Sequence, residues 1–180
     1  MSWDALYIWV EGNDDERYMN RIVVPIIERD FEYVKVIKYA GERPGAINKY
    51  IEGIRGMAKR TRAGYIFFTD IDDAPCITER KKRAIKKYKA LEGKNVLVVI
   101  SEIESWYLAG LRDEDCERLN IRRIDSTDNI CKEEFEKILP KRFKNRVLFI
   151  AEILDCYSVE IAREKNTSLA YFLSRLDCLS

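Results

Sequence analysis

The order of the apolar runs constrains this chain more than any other feature. Four short ones, Leu6–Val10, Tyr33–Lys38, Tyr65–Phe68 and Asn95–Ile100, recur through its first part. Rich in aromatic and β-branched residues, they suit strands buried in a sheet. Stretches of helical periodicity separate them. Asp14 to about Glu28 places Tyr18, Met19, Ile22, Val23, Ile26 and Ile27 on one face, with Pro25 kinking or ending the pattern. Ala46 to Lys59 carries Ile47, Ile51, Ile54 and Ala58, and a third stretch runs from Thr78 to about Leu91. Strand–helix alternation of this kind predicts an α/β fold: a parallel, doubly wound, Rossmann-like sheet of about four strands with helices on both faces.

Acidic residues gather where two of these strands end. The third runs into Asp70-Ile71-Asp72, and in an extended backbone residues two apart point to the same side. The first runs into Glu11-Gly12, where glycine permits a sharp turn, and Asn13 with Glu16 has capping-box spacing. Carboxyl ends of neighbouring parallel strands open onto one crevice, so Glu11, Asp70 and Asp72 are candidates to meet there. Carboxylates sharing a spot repel unless a cation lies between them, and hard Mg²⁺ or Mn²⁺ suits that role. The alternative is that Asp70 and Asp72 only cap the turn through Pro75.

After the fourth strand, Ser101 is the expected cap of a short helix ending at Gly110, with Glu104 in its first turn. Glu104 either joins the acidic edge or serves the helix dipole. The helix from Thr78 is strongly basic, with Arg80, Lys81, Lys82, Arg83 and Lys87 around a narrow apolar stripe. Such a run is a solvated face or an electrostatic footprint for a nucleic-acid backbone. Beyond Leu111 the chain reads as helical: a helix from Cys131 to Leu139 stopped by Pro140, another from Val147 to about Cys156, and a last one carrying Leu169, Phe172, Leu173 and Leu176. The expected organisation is an α/β core over 1–110 with a helical extension, 111–180, packed on it as one unit.

Composition narrows the chemistry. The 180 residues include no histidine, which removes histidine triads and imidazole zinc sites. Lys and Arg number 32 against 31 Asp and Glu, so overall charge does not decide for or against nucleic acid. No apolar run approaches the roughly 20 residues of a membrane helix, and the N-terminus lacks the pattern of a signal peptide. The five cysteines form no C-x-x-C pair, which argues against zinc and disulfides and leads us to expect reduced thiols in a cytoplasmic protein. Trp3 and Trp106, read as exposed aromatics, raise the expectation of a homodimer.

A strand ending Glu11-Gly12, a helix, and a later strand ending Asp70-Ile71-Asp72 together resemble the Toprim domain of topoisomerases, primases and OLD-family nucleases. The likeness covers residue 5 to about 110. Further on, Ile103-Glu104-Ser105-Trp106-Tyr107-Leu108-Ala109 and Thr167-Ser168-Leu169-Ala170-Tyr171-Phe172-Leu173 look like a compact, stand-alone Toprim-like family. Its members carry a glutamate two before a tryptophan after the fourth strand and a serine before an aromatic-leucine pair near the end. The resemblance implies that Asp70 and Asp72 hold Mg²⁺ or Mn²⁺. It implies that Glu11 is a further ligand or the general acid/base of phosphoryl transfer, with Glu104 beside them. The expected activity is that of a small metal-dependent nuclease on nucleic acid, or, without catalysis, that of a binding subunit for nucleic acid or a separately encoded partner protein. Strand passage and priming need further domains and are not expected of these 180 residues, in which no G-x-x-x-x-G-K-[ST] loop is present. A haloacid-dehalogenase-like phosphohydrolase is a third alternative, since Phe67-Phe68-Thr69-Asp70-Ile71-Asp72 imitates that nucleophile motif. Here, however, the motif lies on the third strand.

Overall fold

The computed structural model describes residues 4–177. The chain divides into two compact units: one runs to Val99 and takes in the chain from Arg175 onward, the other spans Ile100–Ser174. The division falls ahead of the helix that the sequence placed in the core, so Glu104 belongs to the second unit.

The first unit contains β1 (Ala5–Val10), α1 (Asn13–Tyr18), α2 (Val24–Ile27), β2 (Tyr33–Lys38), α3 (Pro44–Thr61), β3 (Ala63–Asp70), α4 (Ile77–Lys87) and β4 (Val96–Val99). All strand pairs are parallel and the order is β2-β1-β3-β4, the doubly wound arrangement expected from the sequence. The winding reverses at β1. The chain moves from β1 outward to β2, then crosses back over β1 to β3 and continues to β4. With right-handed crossovers, this reversal puts α1 on one face and α3 and α4 on the other.

Alternation along β1 serves both layers. Leu6, Ile8 and Val10 are fully buried, as are Tyr18, Met19 and Val23 of the helical stretch that follows. Trp9 belongs instead to the cluster of Ile47, Ile51 and Ile54 from α3 with Tyr65, Phe67, Ala84 and Tyr88. Each such side chain contributes about 1.5–3 kcal/mol on burial. β2 is one of the two edge strands of the sheet, and Tyr33, Lys35 and Lys38 along it are exposed.

Some local expectations shift for identifiable reasons. α1 is capped by Gly12, whose N–H donates to Asp15 Oδ2 at 3.0 Å, so the box lies one residue ahead of the expected Asn13–Glu16 pair. Between α1 and α2, Met19–Val23 widens into a π-turn in which Val24 N–H donates to Met19 O. Pro25 then occupies the first turn of α2, where its missing N–H is harmless. Thus the proline widens the helix ahead of it instead of ending it. α4 begins at Ile77 and stops at Lys87, ahead of Tyr88, which folds inward.

The second unit comprises α5 (Ile103–Ala109), α6 (Asp113–Leu119), α7 (Lys132–Ile138), α8 (Arg146–Asp155), α9 (Val159–Lys165) and most of α10 (Thr167–Asp177). α5 packs against α7, α8 and α9. Glu102, not Ser101, is its N-cap, because Ser101 adopts a left-handed φ of 66°. No helix among the described residues is long and apolar enough to cross a membrane.

Candidate functional site

β1 and β3 lie side by side on either side of the winding reversal, the place where doubly wound sheets open a crevice at their carboxyl ends. A cleft of about 180 Å³ lies there. Glu11 enters it just past β1, and Asp72 from the turn beyond β3. Arg80, Arg83 and Lys87 reach it from α4, while Tyr39, Thr69 and Tyr88 complete its wall. Two acids distant in the sequence are thereby brought together with three of the predicted nucleic-acid-binding cations.

The two aspartates do not share one extended segment. β3 ends at Asp70, and Asp72 sits in a turn with φ of 47°. Thr69 faces the cleft, so Asp70, next along the strand, projects to the opposite face and is not among the lining residues. The same-side geometry expected from two-residue spacing is therefore replaced by a left-handed turn, which carries Asp72 toward α4. Asp and Asn adopt that conformation more readily than most other residues.

At the cleft, Asp72 Oδ2 lies 2.6 Å from Arg80 Nη2, and the same nitrogen donates to Thr69 Oγ1 at 2.5 Å. Arg80 is largely buried, and its Nε is buried with no hydrogen-bond partner among the described residues. The Tyr39 hydroxyl lies 3.0 Å from the Phe68 carbonyl oxygen and 3.2 Å from Glu11 Oε2. Tyr39 stacks on Phe67 and meets Tyr88 edge-on, which fixes its ring. Burial, and then the Glu11 carboxylate beside it, push the Tyr39 phenol far above its usual range. It therefore stays protonated and orients Glu11. Sequence reasoning missed Tyr39. Its signal was its position directly after β2, on the same carboxyl edge as Glu11.

The other predicted cations differ in setting. Arg83 reaches Asp73 at 2.9 Å and Glu79 at 3.7 Å. Lys87 lies over the Tyr88 ring at 5.1 Å, and Lys82 is exposed. Lys81 donates to the Gly93 carbonyl at 3.4 Å, and burial lowers its ammonium pKa. Only part of this basic face addresses the cleft.

In the second unit, Glu104 is buried and ion-paired with Arg146, which also reaches Glu136 at 3.0 Å. Trp106, expected to be exposed, is 1% exposed; Trp3 lies outside the described residues. The homodimer expectation thus loses Trp106 as a surface contact, because the indole is core. Its Nε1 donates to Ser168 Oγ at 2.8 Å, and its ring stacks on Phe172. Asn166 is the hub of this interior. Its Nδ2 donates to Thr127 Oγ1 and Ser105 Oγ, and its Oδ1 accepts from Ser168 Oγ and the Leu169 N–H. The tryptophan and serine that carried the second resemblance are thus hydrogen-bonded to each other.

The carboxylates, as folded, do not make a ready cage for a divalent ion. Among the described residues, no group of three or more Asp, Glu or Cys side chains is placed to hold a metal. Comparison with known proteins gives no match, neither to a family model, nor to a curated protein, nor to a solved structure.

Proposed function

We propose that the sheet-bearing unit is a Toprim-like phosphoryl-transfer module acting as a small nuclease on nucleic acid at the Glu11–Asp72 cleft, with Mg²⁺ or Mn²⁺ as its cofactor. One observation carries this reading: Glu11 and Asp72 line the same cleft as Arg80, Arg83 and Lys87, at the point where the winding reverses. Arg83 and Lys87 supply positive charge for a phosphodiester, and bidentate arginine contacts suit its oxygens. Glu11, oriented by the protonated Tyr39, is the general acid/base. A divalent cation would neutralise charge on the reacting phosphate. The present donor arrangement does not fit one, since Arg80 engages Asp72.

That same ion pair favours a second reading, a subunit that binds nucleic acid without cleaving it. Incubating the protein with single- and double-stranded DNA and RNA, plus Mg²⁺ or Mn²⁺, separates the two. The nuclease reading expects cleavage that falls roughly a hundredfold or more in Glu11→Gln and Asp72→Asn, the scale of acid/base contributions. Oligonucleotide binding with no cleavage by the wild type establishes the second reading. Cleavage unchanged in both variants refutes the assignment of the cleft.

A further inference from the structure

The sheet face that carries α3 is open on its β2 side. Tyr33, Lys35 and Ile37 of β2 pair in register with Ala5, Tyr7 and Trp9 of β1, so their side chains share that face. α3 packs over β3, and its Tyr50 leans across β1. The Tyr50 ring meets Trp9 edge-on at 5.1 Å between centroids and Tyr7 at 6.1 Å, and Tyr33 meets Tyr7 at 5.9 Å. We propose that these linked rings, with Lys35 beside them, form a stacking platform for the unpaired bases of single-stranded nucleic acid. The proposal rests on the nucleic-acid reading of the cleft for the class of polymer and adds its strandedness.

Exposure, charge and position select this occupant. Tyr33 and Tyr50 are 47% and 41% exposed. All three ring contacts are T-shaped, with interplanar angles of 61–84°, so no two rings close their faces on each other. The charge beside them is positive. Burial, then the Tyr50 and Tyr33 phenols, raise the Tyr7 pKa, and Lys35 opposes them, which sets its ammonium near the rings. Lys35 is exposed and makes no ion pair among the described residues. Asp4, the carboxylate at the start of β1, is engaged by Arg62 at 2.7 Å. A polymer with flat apolar faces and a negative backbone matches both features, since every base offers a π-face. A duplex keeps those faces in its own stack, and a second copy of this chain would set unpaired lysine against unpaired lysine. Tyr39 and Tyr88 of the cleft wall belong to the same core cluster as Trp9. Glu11 lies four residues beyond Tyr7, about 13 Å of extended strand, a span that a short oligonucleotide covers.

Fluorescence anisotropy of the full chain tests this, with a labelled oligothymidylate of about ten nucleotides and an abasic strand of equal length as probes. The wild type should bind the oligothymidylate roughly fivefold or more tightly than the abasic strand, the lower end of one stacking contact. Tyr33→Ala and Tyr50→Ala should each weaken oligothymidylate binding by a similar factor without changing its salt slope, because stacking releases no counterions. Tyr33→Phe keeps the ring and should bind like the wild type. The abasic comparison needs no variant, so it stands even if an alanine variant fails to fold. Equal affinity for the two strands overturns the proposal, as does the lack of any oligothymidylate binding. A dimer that sedimentation finds in the wild type but not in Tyr33→Ala, with oligothymidylate affinity the same in both, gives the face to a second copy and also overturns it. Cleavage is read separately. Ring-dependent binding without cleavage keeps the platform and loses the nuclease, whereas cleavage with equal affinity for the two strands keeps the nuclease and loses the platform.

Discussion

Tyr39 shows how one buried hydroxyl can serve both stability and the cleft. Its proton is shared between the Phe68 carbonyl and Glu11, and burial and the adjacent carboxylate raise its pKa from 10.0. The fold therefore holds that proton more tightly than the unfolded chain does. Its contribution is whole below the ordinary value and shrinks as pH climbs above it. Urea unfolding should show the wild type losing stability from about pH 9 to about pH 11 more steeply than Tyr39→Phe. At neutral pH the same substitution should cost about 0.5–1.5 kcal/mol for the lost hydrogen bond; a slope identical to the wild type's would separate Tyr39 from alkaline destabilisation. Asp72→Asn is the cleaner charge deletion at the cleft, because asparagine tolerates the positive φ there and alanine does so less readily.

At the scale of elements, the strands and their order were legible because each is a short apolar run with its own periodicity. Glu11 and Asp72 were legible as acids close behind two of those runs, whereas Asp70, expected to face the same spot, does not line the cleft. The Asp72–Arg80 pair was not, because it depends on a left-handed turn that no local pattern marks. Nor could periodicity reveal that Trp106 faces Ser168 across long sequence separation. Gly110 is a further case: it reads simply as a helix stop, yet a Cβ there would lie 2.4–2.6 Å from the Tyr157 ring. That ring is tethered by its hydroxyl, which donates to the Trp106 carbonyl at 2.8 Å, so it cannot easily retreat. Gly110→Ala should therefore destabilise by about 1–3 kcal/mol in chemical denaturation. A loss under about 0.5 kcal/mol, typical of surface changes, would show that the ring yields.

Over the whole molecule, 32 basic residues are nearly cancelled by 31 acidic ones, leaving a formal charge of +1. Long-range attraction to a polyanion is therefore weak, and the proposed phosphate binding would have to come from the few cations at the cleft. If Arg80, Arg83 and Lys87 make the phosphate contacts, the logarithm of affinity against the logarithm of salt should have a slope of about −3 or shallower. Fluorescence anisotropy with a labelled oligonucleotide between low and moderate salt measures it. A slope near −6 would require a broader basic surface than this cleft offers. The absence of histidine sharpens such experiments, since no side chain of ordinary pKa near neutrality changes charge between assays at slightly different pH.

The edge strand β2 has a consequence of its own. An unpaired strand border invites foreign polypeptides to zip onto it. Lys35 and Lys38 stand exposed along that border, and any strand docking there would have to strip water from two ammonium groups. The lysines act as fenders, keeping a sheet with an open flank from recruiting its neighbours.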